Sequence, residues 1–151
     1  MKSLKVVLFI LLTFVCLVTS LAMNIGVHEF GHYAAAKQYG LDPKMHFEVK
    51  PVESGVLKNV MYTTSFYTEY NAPAINPVKE DAVIAFSGPL VNIIVSLLLT
   101  LAYFLVPKNT PRKRLISVVI ILFLIPSVLS VILNLIPLSG TDGSVMMQVL
   151  A

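Results

Sequence analysis

Val18-Thr19-Ser20-Leu21-Ala22-Met23-Asn24-Ile25-Gly26-Val27-His28-Glu29-Phe30-Gly31-His32-Tyr33-Ala34-Ala35-Ala36-Lys37 is the stretch on which the reading of this chain turns. The apolar run that it closes begins at about Leu4, contains no proline, and has glycine only at Gly26 and Gly31. A bilayer takes about 20 helical residues to cross, so a helix over residues 4–37 crosses it and still projects. His28 and His32 stand one turn apart on one face of that helix, with Glu29 beside the first. In His-Glu-x-x-His the two imidazoles hold a metal ion and the carboxylate serves as general base. Ionisable groups are costly inside a bilayer, so this cluster in an apolar span marks a functional site.

The rest of the chain is equally apolar. Of 151 residues, 56% are hydrophobic and 13% charged, against about 25% charged in a soluble domain. The mean hydropathy is +0.82. The chain is therefore an integral membrane protein whose surroundings are the lipid bilayer. The net charge of +3 comes without a basic stripe or interleaved aromatics, which excludes a nucleic-acid partner. The single cysteine, Cys16, excludes an internal disulfide framework and reads as a packing residue. Two further apolar stretches lie at about 81–106 and 115–138. Lys108, Arg112, Lys113 and Arg114 in the short loop between them read as an interfacial anchor.

Residues 1–22 have the outline of a signal peptide, with Lys2 and Lys5 ahead of an apolar Val6–Val18. Helical character nevertheless continues to Ala36 without a turn signal. One continuous helix is expected, stopped near Gly40 and the Asp42-Pro43 step. The polar segment that follows reads as strand. Met45, Phe47 and Val49 alternate with His46, Glu48 and Lys50. After a turn signal at Glu53-Ser54-Gly55, residues Val60–Thr68 are rich in β-branched and aromatic types. A hairpin over about 44–69 is expected at the membrane surface or dipping into it, with an open edge able to pair with an extended substrate strand. Tyr62, Tyr67 and Tyr70 read as an interfacial aromatic belt.

A catalytic zinc ion needs a third protein ligand and one open position. His46, Glu29 and the sparse carboxylates are candidates, though His46 on a polar strand face reads as a surface residue. Asp142 is the ionisable residue of the apolar spans that is placed to converge. It follows Asn134, Pro137 and Gly140 and precedes Gly143, so the third helix breaks there. Irregular backbone at membrane depth is tolerated where it is buried or lines a cavity. Antiparallel packing of three spans brings the ends of the first and third to one membrane side.

With these residues in place, the chain resembles the site-2 protease family of intramembrane zinc metalloproteases. His28-Glu29-Phe30-Gly31-His32 is similar to the family's His-Glu-x-Gly-His, and Gly88-Pro89-Leu90-Val91-Asn92 to its Gly-Pro-x-x-Asn. Asn134-x-x-Pro137-x-x-x-x-Asp142-Gly143 is similar to its third motif, with Ser139 and Ser144 standing where a second proline and a second glycine are common. The resemblance implies one zinc ion held by His28, His32 and Asp142, with Glu29 as the catalytic base. It implies that Asn92 and Asn134 assist substrate or transition-state binding, and that the substrates are transmembrane proteins cut in or near their spans.

The expected fold is an all-α polytopic membrane protein. A three-transmembrane-helix core carries a membrane-associated β-hairpin between its first and second helices. One domain over 1–151 is expected, without a PDZ or CBS domain. Nothing in the sequence indicates an oligomer. The four cations of the short loop favour placing it in the cytoplasm. The family pattern instead places the active site and hairpin toward the cytosol, where the hairpin segment contributes Lys37, Lys44, Lys50, Lys58 and Lys79. The family orientation, in the cell membrane, is the one expected. Two other functions fit parts of the pattern: a zinc-binding membrane scaffold that binds clients without cutting them, and a soluble zincin released by cleavage near residue 22.

Overall fold

The computed structural model describes residues 2–51, 62–110 and 112–149. Its first helix, α1 (Lys2–Gln38), is unbroken through Ala22, as the lack of proline and turn residues requires. It stops at Gly40, whose φ is 75°. There the Gly40 N–H donates to the Lys37 carbonyl and the Leu41 N–H to the Ala36 carbonyl, each at 3.0 Å. This left-handed stop suits a residue without a Cβ.

Two antiparallel strands follow, β1 (Lys44–Pro51) and β2 (Tyr62–Glu69), in a register running from Lys44 opposite Glu69 to Pro51 opposite Tyr62. The expected turn at Glu53-Ser54-Gly55, and Val60 at the expected strand start, lie outside the described residues. The apolar face of β1 points outward, with Phe47 66% exposed. On the other face His46 stacks on Tyr67 and pairs with Glu69 at 3.0 Å, so it is not in the metal cluster. A hydrogen bond ties the hairpin to α1: the Thr68 hydroxyl donates to the Glu29 carbonyl at 2.9 Å.

The second helix, α2 (Pro77–Leu105), begins a turn before the expected Asp81. Proline suits the first turn, because its φ is preset and its missing N–H has no helical partner to lose. Hydropathy misses this turn because Lys79, Glu80 and Asp81 are polar. The third helix, α3 (Lys113–Leu135), ends short of the expected 138. Pro137 forces its predecessor out of the helical region, and Ile136 is extended at φ −69° and ψ 129°. The chain then makes a tight turn: the Thr141 N–H donates to the Leu138 carbonyl at 3.0 Å, with Gly140 at φ 85°. A six-residue helix, α4 (Asp142–Met147), completes the described chain. It is too short to show a period in the sequence.

The helices α1, α2 and α3 are each long and apolar enough to cross a membrane. In lipid no hydrophobic force draws helices together, so close backbone approach and polar contacts must do so. Both occur here. Between α2 and α3, the Ser127 hydroxyl donates to the Asn92 carbonyl at 3.1 Å and the Ser96 hydroxyl to Ser127 Oγ at 2.9 Å. Between α1 and α2, Gly31 packs so tightly that a Cβ there would lie 2.5 Å from the Ser87 carbonyl oxygen and 2.9 Å from Gly88 Cα. These neighbours are backbone and have little freedom to move. Gly31→Ala should therefore destabilise the fold by about 1–3 kcal/mol, the usual range for overpacking. Denaturation with SDS in mixed micelles checks this, and an unchanged midpoint would contradict the packing described.

Candidate metal centre

Three chain ends meet at one side of the bundle: the last turns of α1, the first turns of α2, and the turn leading into α4. The i, i+4 spacing on α1 stacks His28 and His32, whose rings stand edge to face with centroids 4.7 Å apart. Their Nε2 atoms are 3.1 Å apart. Asp142, the first residue of α4, reaches both, with Oδ2 at 3.0 Å from His28 Nε2 and Oδ1 at 3.4 Å from His32 Nε2. The ligand atoms of His28, Glu29 and His32 all lie within 4.8 Å of one another.

These separations fit a metal ion. Two donors about 2.0–2.1 Å from a tetrahedral zinc are about 3.3 Å from each other. The donor set of two imidazoles and one carboxylate matches those of catalytic zinc, with a fourth position left for substrate or water. Asp142 Oδ2 is also buried without a hydrogen bond of acceptable geometry, despite the nearness of His28. An anionic oxygen left in that state calls for a cation.

The sequence around the centre is dictated by the same geometry. A Cβ on Gly88 would lie 2.5 Å from His32 Nε2 and 2.8 Å from His28 Cε1. The imidazoles thus occupy the space that any side chain at Gly88 would need. His32 Nδ1 faces the Ile84 carbonyl at 2.7 Å, which turns its Nε2 toward the centre. Gly143 packs on the end of α3, where a Cβ would lie 2.5 Å from the Leu135 carbonyl oxygen, and this close fit sets the position of Asp142 beside it.

Glu29 faces a cavity of about 210 Å³ that it shares with His32, Asp142, Tyr67, Thr68 and Tyr70. The two tyrosines therefore border the site. The Tyr70 hydroxyl donates to Asp81 Oδ1 at 3.2 Å. Burial, the neighbouring Asp81 carboxylate and the charge of Asp142 push its phenol up to about 12, so it remains a hydrogen-bond donor at neutral pH. The sequence marks Tyr67 and Tyr70 only as interfacial residues and does not single out Thr68, because all three reach the cavity through the strand register and the linker after it.

The two asparagines are placed differently. Asn92 is fully buried beside the metal ligands, its amide 3.4 Å from His28 Nδ1 and 2.8 Å from Ser130 Oγ. It does not line the cavity with Glu29. Asn134 lies on the α1–α3 side, where it lines a groove with Asn24 and Ser130. Its amide donates to the Ser130 carbonyl at 2.9 Å.

Comparison with protein-family models gives a match to peptidase family M50 over residues 16–113. No curated protein and no solved structure matches the chain. The family match includes both histidines, Glu29 and Asn92 but stops before Asp142. The place of Asp142 beside the imidazoles is known from distance alone. Asp142→Asn should weaken metal binding by more than the roughly 10–100-fold that loss of an outer-shell partner costs. Gly88→Ala should weaken it too, by driving the imidazoles apart. Metal content by mass spectrometry checks both, and two variants that retain the wild-type ratio would contradict this geometry.

Proposed function

The chain belongs to peptidase family M50, the site-2 protease family, and from that premise we propose that it is a zinc endopeptidase acting within the membrane. Membership implies an intramembrane metalloprotease. The observation that carries the finer reading is the convergence of His28, His32 and Asp142 next to Glu29, on helices able to span a bilayer.

His28, His32 and Asp142 would hold the ion. When bound, zinc lowers the pKa of its water toward about 7 and polarises the substrate carbonyl. Glu29 takes the proton of the attacking water and delivers it to the leaving amine. The cavity that Glu29 shares with His32 and Asp142 supports this role. Tyr67, Thr68 and Tyr70 wall the cavity on the hairpin side. Asn134 lines the groove between α1 and α3, where it would meet substrate.

A helical substrate must unwind before its carbonyl reaches the site, because its carbonyls are already hydrogen-bonded. We take the substrates to be transmembrane segments of other proteins, presented in extended form beside β2. Thr68 supports this placement, since its bond to the Glu29 carbonyl holds that strand against the catalytic turn. We further place the active site toward the cytosolic side of the cell membrane.

Glu29→Gln should leave zinc content and fold intact while lowering cleavage of a membrane-anchored reporter by about 10²–10⁴-fold. The reporter assay uses purified protein in lipid vesicles, with and without a zinc chelator. Equal cleavage by the variant would sink the proposal, and an intact reporter beside zinc-loaded wild-type protein would favour a binding scaffold instead.

A further inference from the structure

We propose that Asn92 and Ser130 form a hydrogen-bond chain that fixes which nitrogen of His28 faces the metal, making Ser130 a positioning residue that no sequence motif marks. The proposal rests on the metal-centre reading above.

His28 turns Nε2 toward His32 and Asp142. A neutral histidine that binds metal through Nε2 carries its proton on Nδ1. That Nδ1–H then needs an acceptor. The group that meets it is the Asn92 amide at 3.4 Å, on a residue with no exposed surface. An amide has the same shape either way round, so its neighbours decide its orientation. With its nitrogen toward the ring, the amide would force Nδ1 to accept and Nε2 to carry the proton, which removes a metal ligand. With its oxygen toward the ring, it accepts from His28 Nδ1–H. With the nitrogen toward the ring the outer amide oxygen is buried without a partner, so that orientation is not held by a bond on its far side, and the demand of His28 Nδ1–H for an acceptor selects the other.

The oxygen-inward orientation requires that Ser130 donate. Its Oγ lies 2.8 Å from the same amide atom, and a hydroxyl can rotate to do so. The Ser130 lone pairs then face the Asn134 amide nitrogen at 3.3 Å. Three donors in the chain then find acceptors: Asn134 donates to Ser130, and Ser130 and His28 both donate to the Asn92 oxygen. His32 meets the same requirement by another route, since its Nδ1 faces the Ile84 carbonyl at 2.7 Å, a group that can only accept. Both imidazoles are therefore locked with Nε2 inward, one by a main-chain carbonyl and one by a side-chain carbonyl. Ser130 sits one turn before Asn134 on α3, so the chain also couples α3 to the ligand on α1 through α2.

The test is zinc affinity of the full chain in detergent, measured by competition with a chelator. Asn92→Leu should weaken binding by about 10–100-fold, the usual effect of losing an outer-shell partner. Asn92→Asp keeps the acceptor and removes the donor, so it should stay within about threefold of wild type or bind more tightly. Ser130→Ala should weaken binding by about tenfold, and Ser130→Thr should restore it. Asn92→Asp as weak as Asn92→Leu, or Ser130→Ala equal to wild type, overturns the proposal. If Asn92→Asp does not fold, the Ser130 pair decides alone. A wild-type protein that binds no zinc overturns the metal-centre reading and this proposal with it. A zinc-binding wild type whose Asn92 variants behave alike overturns only this proposal.

Discussion

The close approach of α1 and α2 at Gly31 and Gly88 is the constraint on which the rest of the site depends. Gly31 lets the backbone of Ser87 and Gly88 lie against α1, and Gly88 leaves room for both imidazoles. Either contact with a Cβ added would push the helices apart by an ångström or so, judged by ordinary van der Waals separations. At that spacing the Ile84 carbonyl no longer meets His32 and the Asn92 amide no longer meets His28. The glycines of two separate motifs are thus one packing device seen from two helices.

Around that device the protein holds polar groups in an apolar solvent by giving them partners across helices. Ser96, Ser127 and Ser130 link α2 to α3, and Thr68 links the hairpin to Glu29. Asp142 is delivered by an irregular turn rather than by a helix face. Pro137 ends α3, Gly140 reverses the chain, and the Ile136 and Leu138 carbonyls accept from the Leu138 and Thr141 N–H groups, with the Thr141 hydroxyl 2.6 and 2.8 Å from the same two carbonyls. Backbone groups at such a break need partners of this kind near lipid. Ser139, where the family often has proline, sits at the turn beside Gly140 and does not prevent it.

Much of this was legible in the sequence because its signals are local. The spacing of His28 and His32 fixes their shared face whatever surrounds them. The alternation from Met45 to Lys50 gives a strand, and the break after Asn134 marks Asp142. Less legible were boundaries set by proline rather than by hydropathy, as at Pro77 and Pro137. Contacts that depend on cross-helix register could not be read at all. Nothing in the linear order of Asn92 and Ser130 shows that they meet, and nothing in Tyr70 shows that it borders the site. The alternation of Met45, Phe47 and Val49 shows that the hairpin has an apolar face, but its outward direction depends on where β2 is pinned to α1.

X-ray absorption at the zinc edge of the metal-loaded protein tests the central claim most directly. The geometry predicts four light-atom ligands at about 2.0–2.1 Å, two of them with the outer-shell scattering of imidazole rings. A spectrum with fewer than two imidazoles, or with sulfur at about 2.3 Å, would contradict the centre described for His28, His32 and Asp142.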